Sequence, residues 1–363
     1  MRILTVDVGT GTQDVLLFDS EQTVENGIQL VMPSPTALVA ERVRAATRER
    51  RPLALTGVTM GGGPSMWAVE DHLRAGLPVR ATLPAAQSFD DDPEKLRALG
   101  IELVEEAEAR SQPGAIHVEL RDFYQAPIEA ALRAFGVEPR VDRVAVAVFD
   151  HGAAPPEVSD RVFRFEYLAE TLRRDNRLTA LAYRRDEIPP AMTRLAAVAA
   201  TVPAETPLVV MDTAPAAVLG ALDDPVVRAA DPRIVVNVGN FHSLAFHFEG
   251  EQVVGLLEHH TGELTTAEMV DYLLRLGSGL VTNQEVYDDK GHGAIVWPRE
   301  RGAPSFYGVT GPRRGMLRRT TLRPYFAVPH GDMMLAGCFG LLRACAEKWP
   351  EHREEIERAL KDD

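Results

Sequence analysis

One strand–loop–strand pattern occurs twice in this chain. Near the N-terminus, the apolar runs 3–8 and 15–18 flank Gly9-Thr10-Gly11-Thr12, and the runs 234–238 and 244–248 flank Gly239-Asn240. Short apolar runs joined by a glycine-bearing loop are typical of β-hairpins. The repetition predicts two α/β units whose loops face each other across a cleft.

The first loop has the composition of a phosphate-binding turn. Glycine lets the backbone approach a ligand without a Cβ, so the loop can offer free N–H groups and threonine hydroxyls to an anion. Asp7, at the end of the first strand, can hold a hydrated metal ion through its carboxylate. A plain tight hairpin is the alternative interpretation. Two glycines and two threonines between Asp7 and Asp14 favour phosphate binding.

Three further segments follow in order. Asp212 ends a predicted strand and precedes a helix of small residues at 215–222, which would allow close helix packing at a hinge or be a short buried helix. A turn with basic residues spans 308–314. Asp332 is placed to cap the closing helix.

The order of these pieces resembles the actin, sugar-kinase and seventy-kilodalton heat-shock superfamily. The corresponding segments would be 6–18, 211–222, 236–248, 308–316 and 331–345. The resemblance implies an α/β fold of two actin-like, ribonuclease H-like lobes flanking a nucleotide cleft. The lobes would span residues 1–205 and 206–363.

The resemblance also implies site residues, with ATP and Mg²⁺ as cofactors. Asp7 would hold Mg²⁺ through water, and Asp212 would orient the attacking water or hydroxyl. The remaining ligand contacts would come from Gly9, Thr10, Gly11, Thr12 and Gln13 in the first loop, Asn237, Gly239, Asn240 and His242 around the second, and Gly311 and Pro312 beside the adenosine. One departure is Asn237, where the family has Asp. An amide neither holds a metal nor takes a proton as a carboxylate does, so hydrolysis would be slow or use another group.

A closer resemblance is to an uncharacterised bacterial and archaeal family often labelled "putative pyruvate formate-lyase activating enzyme". It is carried by DVGTGTQDVLLFD, MGGGP, NVGNFHSLAF, LEHHTG, DDKGHGA and GDMMLAGCFG. The label implies a radical enzyme that uses S-adenosylmethionine and needs three cysteines spaced CxxxCxxC. This chain has two cysteines, Cys338 and Cys345, so we do not expect that chemistry.

Histidines and a glycine run give further candidates. Glu258, His259 and His260 could be metal ligands or supply a general base, or they could have a structural role. His151 follows a predicted strand and could line the cleft. The Asp289–Gly293 stretch is a flexible polar loop that could be a lid or a surface turn, and we favour the surface turn. The run 61–63 could bind an anion at a helix N-terminus or be a tight strand-to-helix turn.

Bulk composition narrows the function classes. A net charge of −14 argues against nucleic-acid and anionic-membrane partners. No secretory signal or membrane span is expected, and two thiols suit the cytoplasm. The favoured function is Mg²⁺-dependent phosphoryl transfer from ATP, or ATP hydrolysis, acting on an unidentified small-molecule or protein substrate. The alternatives are a nucleotide sensor with little catalysis and a metal-dependent hydrolase that uses His259 and His260.

Overall fold

The computed structural model describes residues 1–361 of the chain. The strands are β1 (Arg2–Val8), β2 (Thr12–Asp19), β3 (Ile28–Pro33), β4 (Leu53–Gly57), β5 (Val79–Ala81), β6 (Ile101–Leu103), β7 (Ile116–Leu120), β8 (Arg143–Val148), β9 (Ala182–Arg184), β10 (Leu208–Asp212), β11 (Arg233–Val238), β12 (His242–Glu249), β13 (Gln252–His260), β14 (Gly293–Val296), β15 (Phe306–Thr310) and β16 (Tyr325–Phe326). The helices are α1 (Pro35–Arg48), α2 (Pro64–Arg74), α3 (Leu83–Ala86), α4 (Pro93–Ala98), α5 (Glu106–Ser111), α6 (Gln125–Ala134), α7 (Asp160–Arg174), α8 (Thr193–Thr201), α9 (Thr213–Ala221), α10 (Pro225–Ala229), α11 (Thr266–Ser278), α12 (Asn283–Asp288), α13 (Ala336–Lys348) and α14 (Arg353–Ala359). In the described range, no helix combines the length and apolarity that a membrane crossing needs.

Two six-stranded sheets repeat one topology. The first has the order β3-β2-β1-β8-β10-β9 and the second β14-β13-β12-β11-β15-β16. In each, a first strand (β1 or β11) pairs antiparallel with the next strand and parallel with a later one (β8 or β15). This doubled sheet order is the ribonuclease H-like arrangement of the actin-like fold, and it confirms the predicted fold class.

The central strands are apolar because both faces of each sheet are covered. In β1, Ile3 packs into one buried cluster, while Leu4 and Val6 pack into another on the opposite face. Strands buried on both sides are expected to be nearly continuous apolar runs. The cluster that contains Ile3 also contains Val235 and Phe246 of the second sheet, so one core joins the two sheets.

Helices α9 and α13 cross with their backbones in contact. A Cβ added at Gly220 would overlap the carbonyl oxygen of Ala336, and a Cβ at Gly340 would overlap that of Ala216. Only glycine allows this separation, because it has no side chain to hold the helices apart. The small residues expected at a hinge are therefore where two helices meet most closely.

The stretch of chain between β3 and β8 forms a third sheet, which was not predicted as a separate unit. It has four parallel strands in the order β6-β5-β4-β7 and its own apolar core around Val39, Leu53 and Val69. Two of its strands have only three residues each. Strands that short carry too little alternation to be recognised from hydrophobic periodicity.

The first sheet extends past the predicted division at 205/206. Strand β10 begins at Leu208 and pairs in parallel with β8, so residues on both sides of that division build one sheet. Helix α13 also packs against β1 and β8. The lobes are therefore not two consecutive halves of the chain, because strand pairing between distant segments decides their membership. The last two residues of the predicted second lobe, 362 and 363, lie outside the described residues.

Candidate functional site

A cavity of about 300 Å³ opens where the two hairpin loops and the inserted unit meet. Most of the residues expected at a ligand site line it: Asp7, Gly9, Thr10, Gly11, Thr12, Asn237, Gly239, Asn240, His242, Gly311 and Pro312. They come from segments far apart in the chain, and the doubled topology brings their loops to one place.

The two loops have the same closing hydrogen bond. The Gly9 N–H donates to the Thr12 carbonyl at 2.9 Å, and the Gly239 N–H donates to the His242 carbonyl at 3.0 Å. The loops also face each other, since a Cβ added at Gly11 would lie 3.0 Å from the side-chain nitrogen of Asn240. The pair forms two opposed backbone surfaces, one from each sheet.

Two buried carboxylates lie beneath the first loop. Asp7 and Asp14 are direct cross-strand partners, and each is 8% exposed. Burial raises the pKa of Asp7 to about 7, against a hydrogen bond of 2.5 Å from the Thr213 hydroxyl. Burial, with repulsion from Asp7, raises the pKa of Asp14 to about 8. One Asp14 oxygen is buried without a hydrogen-bond partner.

This donor set fits a hard divalent cation. Mg²⁺ prefers carboxylate oxygens, and a cation would relieve the repulsion between the two groups. The start of α13 packs closely against this site, because a Cβ at Gly337 would overlap the Asp7 carboxylate. Asp7 was predicted as a metal residue. Asp14 was not predicted as a metal residue. The hairpin pattern could have identified it, because it pairs Asp14 with Asp7.

Asp212 does not lie in the cavity. Its two oxygens accept hydrogen bonds from Arg164 at 2.6 and 3.2 Å, and one also accepts the Ala214 N–H at the start of α9. A carboxylate held by a buried guanidinium is neutralised and fixed in place. The predicted role of Asp212 in orienting a nucleophile therefore has no geometric support. Asp212 is held away from the cavity by Arg164 of α7, a residue that the sequence analysis did not identify.

Arg164 is a buried hub below the cavity. Besides Asp212, it donates to Glu258 at 2.8 Å and to the Asp150 carbonyl at 2.7 Å, and its guanidinium lies 3.6 Å from the centre of the Phe149 ring. It is 2% exposed. The hub links α7, β10 and β13, so it holds elements of both sheets together.

The predicted metal group of Glu258, His259 and His260 is not brought together. The three are consecutive on β13, and successive side chains of a strand point to opposite faces. Glu258 faces Arg164, whereas His259 packs beside Tyr272 and lies 3.5 Å from Asp289. Gln13 also departs from expectation, because its amide donates to the Pro33 carbonyl instead of lining the cavity.

A different histidine group converges at the cavity wall. One possible ligand atom from each of His151, His242 and His292 lies within 4.8 Å of the others. His260 joins the group, with its Nε2 at 3.2 Å from Nε2 of His292. His292 is 1% exposed, so its stretch is not the surface turn that we expected. The glycines on both sides of His292 were the only local sequence feature that could have indicated its close packing.

The glycine run after β4 also lines the cavity. Gly63 has a φ of 59° and directly precedes α2. The Gly61 N–H donates to Asp122, which is paired with Arg194 at 2.6 Å. One of the amides is therefore already occupied, and anion binding by this run stays a prediction.

The two cysteines are both buried on α13 and are seven residues apart. Burial raises the pKa of the Cys338 thiol well above its usual value. Neither the number nor the spacing of these thiols provides the three-cysteine ligand set of a radical S-adenosylmethionine enzyme.

Solved structures similar to this chain have low identity to it. They include inorganic polyphosphate/ATP-glucomannokinase from Arthrobacter sp. strain KM, at 12% identity, 95% coverage of this chain, 99% of that chain and a TM-score of 0.37. Ethanolamine utilization protein EutJ from Carboxydothermus hydrogenoformans has 10% identity, coverages of 94% and 89%, and a TM-score of 0.33. The PPX-GPPA enzyme of Aquifex aeolicus has 9% identity, coverages of 96% and 92%, and a TM-score of 0.25. These similarities are weak, so the fold is assigned from the sheet topology.

Sequence comparison gives a clearer result. No curated protein matches the chain. One family profile matches residues 60–316, which is more than two thirds of the 363 residues. The chain therefore belongs to the family described as "Putative pyruvate format-lyase activating enzyme (DUF1786)".

Proposed function

We propose that this chain binds ATP with Mg²⁺ in the cavity and acts on the terminal phosphoryl group. The observation that carries the proposal is the pair of loops with matching closing hydrogen bonds, opposed across one cavity above two buried carboxylates. A triphosphate supplies the negative charge that two sets of backbone amides would bind, and the Mg²⁺ that accompanies it suits the two carboxylates.

The chain's own residues would position the phosphates. The Gly9 and Gly239 N–H groups close their own loops, so the amides of Thr10 and Gly11 on one side and of Asn240 on the other would donate to the phosphates. Asp7 and Asp14 would hold Mg²⁺. When bound, Mg²⁺ would neutralise charge that develops on the transferring group. Gly311, with a φ of 96°, carries the turn at Pro312 past the second loop and would leave room for the adenosine.

The weakest part of the catalytic set is the group that would activate a nucleophile. Asp212 is bound to Arg164, and Asn237 has an amide where a carboxylate was expected. Asp150 lines the cavity, but its oxygens already accept the Gly152 and Leu195 N–H groups, each at 2.8 Å. These contacts favour the second candidate, a nucleotide sensor that closes on ATP with slow chemistry.

The binding step is tested by titrating a fluorescent ATP analogue with and without Mg²⁺. We expect wild-type protein to bind in a Mg²⁺-dependent manner and Asp7→Asn to lose at least tenfold in affinity. Asp19→Asn is the matched control, because Asp19 lies at the far end of the same hairpin and pairs with Arg2. Absence of binding in wild type, or equal loss in both variants, would contradict the proposal.

The two candidate functions differ in turnover. Phosphate release from ATP, measured under saturating Mg²⁺, separates a working enzyme from a sensor. A bound nucleotide that stays intact for many minutes, with a change in small-angle scattering on binding, would support the sensor. The hypothesis of a metal-dependent hydrolase that uses His259 and His260 is not supported, because His259 lies on the opposite face of β13 from its neighbours.

A further inference from the structure

Four imidazoles meet where β12, β13 and the segments after β8 and before β14 come together. His151 and His242 line the cavity, and His292 lies behind them. The rings of His242 and His260 are 4.8 Å apart, as are those of His260 and His292. Four histidines make up a large share of the chain's ten, and they come from separate segments.

One contact of this cluster is unsatisfied while Glu258 is ionised. His260 Nδ1 lies 2.9 Å from the Lys290 carbonyl, so Nδ1 must donate and Nε2 carries a lone pair. That lone pair faces Nε2 of His292, whose Nδ1 lies 3.8 Å from Glu258. A neutral His292 can therefore not satisfy both sides while Glu258 is ionised. Either two lone pairs face each other, or a lone pair faces a carboxylate.

Three polar atoms in and beside the cluster are unsatisfied. His242 Nε2, His292 Nδ1 and one Glu258 oxygen are buried without a hydrogen-bond partner. A neutral imidazole presents a nitrogen lone pair, which is the form that binds metals.

We propose that His151, His242 and His292 bind one divalent first-row transition-metal ion, with His260 beside them and an open position toward the cavity. In a tetrahedral site, metal–nitrogen bonds of about 2.0–2.1 Å place the ligand nitrogens about 3.3–3.4 Å apart. The three histidine nitrogens now lie within 4.8 Å of one another, so only small ring rotations are needed. Glu258 would accept the Nδ1–H of His292, as carboxylates behind metal-binding histidines do.

The ion differs in class from the one expected at Asp7 and Asp14. Imidazole ligands suit Zn²⁺ or Co²⁺, whereas Mg²⁺ takes oxygen ligands. The two sites would lie on different walls of one cavity. An ion held by three histidines would offer its free position to an oxygen atom of a second substrate, whatever happens to the nucleotide.

The test is Co²⁺ titration of chelator-treated full-length protein, without nucleotide, followed by visible absorption of the bound ion. We expect one Co²⁺ per chain with a visible band. His151→Gln and His292→Gln should each weaken binding at least tenfold. His117→Gln is the control, because His117 is exposed on β7 of the inserted sheet. His151 is also exposed, so its replacement is not expected to disturb folding.

Three outcomes would overturn the metal site. They are no visible band in wild type, unchanged affinity in both histidine variants, and loss of Co²⁺ binding in Asp7→Asn with retention in the histidine variants. Because no nucleotide is present, a failed metal site and a failed ATP site give separate results.

Discussion

Gly337, in the first turn of α13, packs directly against the carboxylate of Asp7. A Cβ at position 337 would overlap that carboxylate. Asp7 is held from the other side by the Thr213 hydroxyl at the start of α9. The two crossing helices therefore begin on either side of the residue that we assign to the cation, and their positions determine its orientation.

Gly337→Ala should displace Asp7 and weaken Mg²⁺-dependent ATP binding at least tenfold. The physical reason is overlap between the new methyl group and the carboxylate, which must move from its place opposite Asp14. Titration of a fluorescent ATP analogue measures the change. Gly302→Ala is the matched control, because a Cβ there would meet no atom within 4 Å. Equal affinity in the two variants would show that the contact does not position Asp7.

Protein stability should fall with rising pH when divalent cations are absent. The pKa of Asp7 is about 7 and that of Asp14 about 8 in the folded protein, against 3.8 for both in the unfolded chain. Between these pKa values, the folded protein therefore binds more protons than the unfolded chain does. The stability contributed by Asp7 and Asp14 is fully present below pH 3.8 and is lost as the pH rises through about 7 and 8. Thermal melting across this range measures the slope. Mg²⁺ should restore stability at high pH, and Asp14→Asn should reduce the slope; a slope unaffected by either change would contradict the assignment.

Arg164→Met should destabilise the protein by about 3–5 kcal/mol, because Asp212 and Glu258 would be left as unpaired buried carboxylates. Urea unfolding measures this loss. Arg177→Met is the control: Arg177 also pairs with two carboxylates, but its side chain is 51% exposed. Exposed pairs contribute about 1 kcal/mol or less. Similar losses in the two variants would mean that Arg164 is not a structural hub.

Gly220→Ala should separate α9 from α13 and cost about 1–3 kcal/mol or more, as overpacking of a tight interior does. The new methyl group would overlap the Ala336 carbonyl oxygen. Chemical unfolding measures the change in free energy. Gly262→Ala is the comparison, since a Cβ at 262 meets nothing within 4 Å. A Gly220→Ala variant as stable as wild type would show that the crossing can widen freely.

Much of the fold was predictable because its signals are local. The hairpins at β1–β2 and β11–β12 are encoded by apolar runs around Gly9 and Gly239, and a turn of that kind forms from its own residues. Two such hairpins in the order of the superfamily were enough to predict a doubled α/β fold. The inserted sheet was not predicted as a unit, because a strand as short as β6 shows no periodicity.

The positions of glycine and threonine in the loops are local, so they can be recognised from the sequence, and with them the backbone segments that can approach a phosphate. Which side chains remain available to a ligand depends on the folded arrangement. Arg164 lies 48 residues before Asp212, yet it binds that carboxylate and removes it from the cavity. His292 comes from a polar stretch that reads as a surface turn, yet it lies buried beside His242 and His260. Pairing and burial depend on contacts between distant segments, and local sequence does not record those contacts.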